Sequence, residues 1–515
     1  MTKTPPGRKD SARNLDPQDW DAFRAEAHRA LDAMIDNIRD LREGPVWRPA
    51  SDEARAFFRR AAPREGQELA RTLEEFQRHI VPYSMGNRHP MFMGWVQGAG
   101  SPAGMVAEML AAGLNANCGG RNHIALDVER QIGRWMAQAF GFPDDASGIF
   151  VTGASMANFL GLLVARHRAT QHENVRLNGL GAMKTTLVAY ASRDVHNCVR
   201  QAMELAGLGA RHLRLIAPDE RRRMRIEDLS HAIAADRAAG LQPFLIVGTA
   251  CTVDTGAIDN LDALADLARE EEVWFHIDGA FGALAALSDT LKPLLKGLER
   301  ADSVAFDFHK WLQVPYDAGF VLVRDPHEHL AAFKSDAAYL TRAPRGLAAG
   351  EIWPCDLGPD LSRGFRALKA WFTIQTFGLD LLGECVERTC RLARRLERLI
   401  EASPHFFMRA PVTLNIVCFS VAADPEGAIA SEIVMALHES GEAAPSLTIF
   451  EGKAAIRAAI VNHRTTEEDI DRFVTLLNVE IARARAKLAA ADAKARAPQP
   501  REAPHGPGRT PLSQD

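Results

Sequence analysis

Lys310 is the residue of this chain whose chemistry most needs an explanation. It lies in FDFHKWLQVPYD (306–317), between the apolar segments SVAF and AGFVLV, which are typical of buried strands. A lysine there either extends its amine to water or is held inside because the amine does chemistry. A desolvated amine loses its proton more readily, and a neutral amine forms a Schiff base with an aldehyde. This segment alone is compatible with both interpretations.

A second candidate is a turn rich in small residues. VTGASMANF (151–159) is typical of a strand that turns into a helix, and the turn contains Gly153, Ala154 and Ser155. Backbone N–H groups at a helix N-terminus bind phosphate, although a plain strand–helix turn explains the pattern equally well. GAGSPAG (98–104) matches a dinucleotide-binding pattern, but Pro102 interrupts it and no clear strand precedes it. We interpret that segment as a helix start.

Three more polar residues lie just beyond predicted strands: Asp278 in HIDGAF, His196 in SRDVHNCV and Thr252 in GTACTVDTG. Asp278 either caps a helix or pairs with a cation, and no helical pattern follows it directly, which weakens the first interpretation. A lone histidine is most often structural, and His196 allows that interpretation too.

The elements that must position these residues alternate from about residue 125 to 325. Short apolar segments are separated by segments with helical periodicity, which predicts an α/β fold with a mostly parallel sheet. After about residue 365, long helices and further strands predict a smaller C-terminal α/β domain. Ligands bind beyond the carboxyl ends of parallel strands, where the candidates lie. The predicted strands cover 186–192, 211–216, 244–250, 273–278, 303–307 and 319–323.

One ligand accounts for these candidates together. Pyridoxal 5'-phosphate (PLP) carries a phosphate, a ring with a basic nitrogen and an aldehyde. The turn at 153–155 would bind the phosphate, and Asp278 would pair with the protonated ring nitrogen. His196 would stack on the ring, and Lys310 would form the Schiff base.

The segments HIDGAFGA, FDFHKW, TGASMAN and DVHNC resemble those of the group II PLP-dependent decarboxylases. That family includes aromatic-L-amino-acid, histidine, tyrosine and glutamate decarboxylases, and the similarity extends from about residue 17 to 480. It implies fold type I, the aspartate aminotransferase-like fold of PLP-dependent transferases. It also implies an enzyme, a carbon–carbon carboxy-lyase that converts an L-amino acid to its amine and CO2, and a homodimer with active sites at the subunit interface.

The resemblance assigns roles to further residues near the cofactor. His309 would add to the phosphate contacts, Thr252 would lie near the ring, and His196 would take part in catalysis. FKSDAAYL (333–340) is similar to the family's mobile loop, in which Tyr339 would return a proton to the α-carbon. Asp307 stands where aromatic decarboxylases often have asparagine, which leaves its role open.

Substrate choice depends on other segments. NRHPMFMGW (87–95) resembles a substrate-side segment of the family, from which we predict His89 and Trp95 as substrate-binding residues. Trp95 favours an aromatic L-amino acid. Arg121 either pairs with a side-chain carboxylate or is an ordinary surface arginine, so an acidic amino acid is the alternative substrate. An aldehyde synthase, aminotransferase or lyase on the same fold is the alternative chemistry, and Tyr339 favours the amine product. A binding or scaffold protein that kept only the fold is the non-enzymatic alternative, which the presence of Lys310, Asp278, His196 and Tyr339 disfavours.

The amino-acid composition of the chain narrows the remaining classes of partner, metal site and cellular compartment. The 515 residues carry a net charge of -5, so no global basic field attracts nucleic acid or an anionic membrane. The seven cysteines are scattered without a C-x-x-C, which argues against disulfides and zinc. No metal site is expected, and His327-Glu328-His329 is interpreted as the start of a surface helix. Without a secretory or membrane-spanning pattern, we predict a cytoplasmic protein whose partners are a small-molecule amino acid and a second copy of the chain.

Four segments are predicted along the chain. Residues 1–90 form an N-terminal helical segment that is too small to supply its own core, and the resemblance implies that its helices clasp the dimer partner. Residues 91–375 form the large PLP-binding domain, 376–485 the small C-terminal domain, and 486–515 a disordered tail rich in Ala, Pro and charge.

Overall fold

A seven-stranded sheet organises the centre of the chain, in a computed structural model that describes residues 14–335 and 337–496 (for 339 and 492–496, the backbone alone). The strand order is β1-β7-β6-β5-β4-β2-β3. The adjacent strands β6, β5, β4, β2 and β3 are all parallel to one another. Strand β7 is antiparallel to both of its neighbours, β1 and β6. The strands are β1 Ser147–Val151, β2 Leu187–Ser192, β3 Leu213–Ile216, β4 Gln242–Thr249, β5 Trp274–Asp278, β6 Ser303–Asp307 and β7 Gly319–Val323. The predicted α/β fold with a mostly parallel sheet is confirmed.

Both faces of this sheet are buried. In β2, Val188 and Tyr190 belong to one hydrophobic cluster, whereas Leu187 and Ala189 belong to another on the opposite face. Near-continuous apolar strands are what a doubly covered parallel sheet requires. The helices around it are α4 Pro102–Leu114, α5 Ala125–Phe140, α6 Ala154–Ala169, α7 Val175–Asn178, α8 Asn197–Leu205, α9 Ile226–Ala238, α10 Leu261–Glu270 and α11 Pro326–Phe333.

Helix α4 begins where the sequence predicted a helix start. The Ser101 side chain accepts the N–H of Gly104, and Pro102 occupies the first turn, where its missing N–H costs nothing. GAGSPAG is therefore a capped helix N-terminus.

A four-stranded antiparallel sheet forms the C-terminal part, in the order β10-β11-β9-β8. The long helix α12, Arg366–Glu401, leads into it and bends at Gly378, whose φ of 73° is non-helical. The remaining elements are β8 Phe406–Met408, β9 Ile416–Val421, α13 Ala428–Ser440, β10 Ser446–Phe450, β11 Lys453–Ala459 and α14 Glu467–Arg496.

The predicted tail starts inside a helix. Helix α14 continues to Arg496, so residues 486–496 are helical, and 497–515 lie outside the described residues. The Ala-rich sequence KLAAADAKAR has a high intrinsic helix propensity, which explains the difference.

The N-terminal helices are α1 Trp20–Arg39, α2 Asp52–Phe57 and α3 Leu69–His79. Neither α1 nor α3 has a buried residue, although both are amphipathic. Trp20 remains 58% exposed on α1. These apolar faces are only partly covered by the described part of the chain. Across the same residues, no helix has the length and apolar character needed to cross a bilayer.

Candidate active site

The carboxyl ends of three neighbouring strands meet at one cavity. Thr249 ends β4, Asp278 ends β5 and Asp307 ends β6, and all three line a cavity of about 500 Å³. Parallel pairing puts these ends side by side, with Thr249 in register with Asp278. The sheet therefore gathers polar side chains that lie far apart in the sequence.

Lys310 reaches this cavity because its apolar neighbours anchor the loop. Phe308, Trp311 and Leu312 are buried, and the Trp311 indole N–H donates to Thr389 Oγ1 at 2.9 Å. The Lys310 side chain is 21% exposed and lines the cavity. The lysine is thus held inside at the cavity wall and does not extend across the surface.

Asp307 forms the closest contacts of the Lys310 amine. Its Oδ2 lies 2.9 Å from Lys310 Nζ and 3.6 Å from His309 Nε2. Its Oδ1 accepts the backbone N–H of Ala154 at 2.7 Å. One buried carboxylate therefore connects the lysine to the first turn of α6.

Close backbone packing fixes the turn between β1 and α6. A Cβ on Gly319 of β7 would lie 2.3 Å from the Gly153 Cα, so these two glycines allow a backbone-to-backbone contact. On the outer edge of β1, Glu129 accepts the N–H of Phe150, and Arg363 donates to the Phe150 carbonyl. These two bonds satisfy the backbone groups of Phe150 on the edge strand. Gly153, Ala154 and Ser155, which follow this strand, line the cavity.

His196 and Asp278 lie in the same cavity wall. His196 is the N-cap of α8, and its Nδ1 accepts the Cys198 N–H at 3.2 Å, which leaves Nε2 as the nitrogen that carries the hydrogen. Asp278 is buried, and its Oδ1 accepts the Ala280 N–H at 3.2 Å. The imidazole and the carboxylate that the sequence singled out are therefore brought together with Lys310.

Burial keeps several neighbours of the site neutral. It raises the pKa of the Cys198 thiol to about 12, so this cavity-lining cysteine is not a thiolate nucleophile at neutral pH. It also lowers the pKa of His309, against the opposing effect of Asp307. The charged side chains of the described cavity wall are Lys310, Asp278 and Asp307.

Thr252 is not among the described residues that line the cavity, so its place near the ring stays a prediction. Its hydroxyl is 3.0 Å from Thr255 Oγ1 and accepts the Ala257 N–H, so it closes its own turn. The preceding Cys251 has a left-handed φ of 77°, which turns the chain at this point. Cys251 and Val253 line the cavity instead.

Two predicted substrate-binding residues are also placed elsewhere. His89 is buried beside the N-terminal helices, where its Nδ1 accepts the Met91 N–H. The Arg121 guanidinium lies 4.7 Å above the Trp353 ring. Neither lines the cavity of its own chain, whereas Trp95 does. The side chain of the predicted proton donor Tyr339 lies outside the described residues.

Sequence reasoning missed Thr249 and Gln97, which both line the cavity. Thr249 Oγ1 and Gln97 Oε1 find no hydrogen-bond partner among the described residues. A polar residue at the end of an apolar strand was a usable signal for Thr249. Gln97 carried no such signal, because its segment is irregular.

A further missed residue is Arg457 of β11. Its guanidinium donates to the backbone carbonyls of Trp95 (3.1 Å) and Val253. The C-terminal sheet thus positions two segments of the cavity wall. Nothing local in the sequence distinguishes this buried arginine from a surface one.

The residues of this cavity fit PLP. An amine that can bond an aldehyde, a carboxylate for a protonated ring nitrogen and a helix N-terminus for a phosphate face one space. The unpartnered Thr249 hydroxyl is a further polar group that a ligand would satisfy. The donor set matches the three functional parts of this cofactor.

Comparison with known proteins agrees with this fit. Residues 52–422 match the pyridoxal-dependent decarboxylase conserved domain. An aromatic-L-amino-acid decarboxylase of Bacillus atrophaeus is 32% identical over 462 residues, which cover 87% of this chain and 93% of that protein.

Solved structures show the same fold. Oryza sativa TDC with PLP and tryptamine superposes with a TM-score of 0.83 at 23% identity, over 91% of this chain and 99% of the other. Mouse CSAD gives a TM-score of 0.83 at 23% identity, over 90% and 99%. The match of the domain model and the identity of the bacterial relative, together with the cavity, lead to one conclusion: the chain belongs to the pyridoxal-dependent decarboxylase family and is a PLP-dependent amino-acid decarboxylase of fold type I.

Proposed function

We propose that this protein decarboxylates an aromatic L-amino acid to its amine and CO2, in the cavity where Lys310, Asp278 and His196 face one another. The observation that carries the proposal is this convergence at the strand ends. The similarity to an aromatic-L-amino-acid decarboxylase over most of the chain supports the substrate class.

The lining of the cavity supports an uncharged substrate side chain. Lys310 is the single cationic side chain among the described lining residues, and it is committed to the cofactor. Arg121, the candidate partner for an acidic side chain, lies against Trp353. Trp95, Val96 and Phe281 supply apolar and aromatic surface. An acidic substrate would leave its second carboxylate without a cation in this chain.

Each of the cavity residues named below has a defined task in this proposal. When bound, PLP supplies an electron sink for the bond that breaks at the α-carbon. Lys310 would hold the aldehyde carbon and Asp278 would keep a proton on the ring nitrogen. His196 would cover one ring face and exclude water from it. Gly153, Ala154, Ser155 and His309 would hold the phosphate.

Tyr339 is proposed as the donor that returns the proton to the α-carbon. Its loop, 333–340, resembles that of the family, and a phenylalanine there would favour oxidation. We expect Tyr339→Phe to release CO2 as before but to shift the other product from amine towards aldehyde and ammonia, with dissolved O2 as the oxidant and hydrogen peroxide as its product, measured by product chromatography. An unchanged amine yield would mean that another group donates the proton.

A panel of L-amino acids tests the substrate proposal. Purified protein with PLP is given aromatic, acidic and aliphatic amino acids, and CO2 and amine are measured. We expect the highest kcat/KM for an aromatic substrate. A preference for glutamate or aspartate would overturn the proposal in favour of the acidic alternative, and aldehyde as the main product would favour an aldehyde synthase.

We further propose a cytoplasmic homodimer. The partly exposed apolar faces of α1 and α3 support a second copy as the covering surface. All seven cysteines are free thiols, and five of them are buried, which suits a reducing compartment.

A further inference from the structure

The carboxylate of Asp307 lies at the helix N-terminus where the proposed function puts the phosphate of the cofactor. Its Oδ1 accepts the Ala154 N–H, so one donor of this turn is already bound to an anion. A Cβ on Gly153 would lie 3.8 Å from the same oxygen and 3.5 Å from His309 Cε1. A phosphate bound at this turn would therefore lie close to a buried carboxylate.

Lys310 is the single cation in contact with Asp307 among the described residues. Two other charged side chains of this region, Asp317 and Lys369, are already paired. Asp317 pairs with Arg366, and Lys369 pairs with Glu108. The other titratable groups around the site are His309, Tyr316, Asp278, Cys198 and His196. Burial raises the pKa of both the Tyr316 phenol and the Cys198 thiol, so neither adds charge at neutral pH.

His309 is poorly placed to supply a second positive charge. Its Nδ1 accepts the Ala318 N–H at 3.0 Å, so the hydrogen of the neutral ring belongs on Nε2, which lies 3.6 Å from Asp307 Oδ2. A second proton on Nδ1 would break the bond to Ala318. Burial also lowers the pKa of His309, which favours the neutral ring.

Within this chain, the charges of the site therefore do not balance when a phosphate dianion enters. One lysine faces one carboxylate and a group that carries close to two negative charges at neutral pH. An excess of buried negative charge is costly, and uptake of a proton relieves it. We propose that Asp307 couples cofactor binding to the uptake of one proton, held between its carboxyl group and a phosphate oxygen. Asp307 is a positioning residue in this scheme, and the inference rests on the proposed phosphate site.

Asp307→Asn separates this scheme from a merely structural role. The amide oxygen can still accept the Ala154 N–H, while the amide nitrogen can donate to a phosphate oxygen. The variant therefore keeps the contact with Ala154, and it removes both the charge that calls for the proton and the ion pair with Lys310. Asp317→Asn is the matched control, because it removes a nearby negative charge that does not contact Ala154.

The test uses the full chain freed of cofactor and 4'-deoxypyridoxine 5'-phosphate, which has a methyl group in place of the aldehyde, so that it cannot bond Lys310 and adds no further cation. Its Kd is measured by calorimetry from pH 7 to 9, where the free phosphate is a dianion. The ring nitrogen contributes equally in all three proteins, so the difference between them is informative. At pH 9 we expect Asp307→Asn to bind about tenfold more tightly than wild type or Asp317→Asn.

Calorimetry in two buffers of different ionisation enthalpy counts the protons directly. Wild type and Asp317→Asn should take up about one proton more per bound ligand than Asp307→Asn, since the slope of affinity with pH equals the protons gained. Phosphorus NMR of the bound ligand should show the phosphate nearer its dianion in Asp307→Asn. Asp307→Ala replaces Asp307→Asn if circular dichroism shows that the asparagine variant is unfolded.

Equal proton uptake in wild type and Asp307→Asn would overturn the inference, as would a Kd that changes with pH to the same extent in both proteins. Failure of wild type to bind either 4'-deoxypyridoxine 5'-phosphate or PLP would refute the proposed phosphate site itself. The two failures are therefore distinguishable.

Discussion

Lys310 gains its chemical role from the side chains around it. The flanking Phe308 and Trp311 are buried, so the amine is held at the cavity wall, 2.9 Å from the Asp307 carboxylate. This contact gives the amine a fixed position in the cavity wall.

Replacement of Lys310 tests its role as the covalent attachment point. We expect Lys310→Ala to lose the absorbance band of the covalently bound cofactor and to lose turnover by several orders of magnitude. Absorbance spectroscopy after PLP addition measures the first and amine release the second. Lys296→Ala, on an exposed lysine bound to Asp262, is the control and should retain both. Normal turnover in Lys310→Ala would contradict the assignment.

Helix α6 carries the proposed phosphate site, and its packing on β5 determines where that site lies. Asn158 of α6 bonds to His276 of β5 at 2.7 Å, and Gly161 faces the same ring. A Cβ on Gly161 would lie 2.6 Å from His276 Cε1. The helix therefore approaches the sheet only because residue 161 has no side chain.

Gly161→Ala should consequently move α6 or the His276 ring. We expect a loss of about 1–3 kcal/mol in the free energy of unfolding, despite the better helix propensity of alanine, together with weaker PLP binding. Urea unfolding and PLP titration measure these effects. Gly113→Ala in α4 is the control, because an added Cβ there meets nothing within 4 Å on this chain. Equal stability of the two variants would contradict the packing argument.

At the scale of the whole molecule, the first helix of the N-terminal segment leaves apolar side chains exposed within the described chain. Trp20 and Phe23 form an edge-to-face pair on α1 and are both exposed. A paired aromatic surface of this kind is typical of an interface.

We expect the protein to sediment as a dimer, with about twice the chain mass of 56.4 kDa. The double variant Trp20→Ser/Phe23→Ser should shift the population towards monomer, since it removes apolar contact area. Leu177→Ser is the control, because it removes an exposed leucine from α7, outside the N-terminal segment. A wild-type monomer at micromolar concentration would refute the dimer proposal.

A buried neutral histidine makes the free energy of unfolding depend on pH in the acid range. Burial lowers the pKa of His329 to about 4, and its ring bonds to Ser147 and to the Leu357 carbonyl. Between pH 6.5 and about 4 the unfolded chain binds a proton here that the folded chain does not, so stability falls as the pH falls.

His329→Gln should reduce this pH dependence. From pH 7.5 to 5, the loss in free energy of unfolding should be about 2 kcal/mol smaller than in wild type. Urea unfolding at both pH values measures the difference. His231→Gln, on an exposed histidine of α9, should leave the loss unchanged. An identical loss in His329→Gln and wild type would contradict the argument.

The sequence alone determined the sheet and the residues at its strand ends. Apolar segments with short helical spacers predict parallel strands, and parallel strands bring their ends to one edge, so Asp278, Lys310 and the turn at 153–155 could be placed together. Local periodicity is sufficient for this, because strand and helix patterns are properties of neighbouring residues.

Only the tertiary structure decided which way individual side chains point. The left-handed turn at Cys251 directs Thr252 into its own loop, and the ring of Trp353 holds Arg121 away from the cavity. The role of Asp307 depends on its contact with Ala154, which lies 153 positions earlier in the sequence. Such contacts depend on backbone dihedrals and long-range packing. A local pattern of residue types does not determine these for an individual side chain.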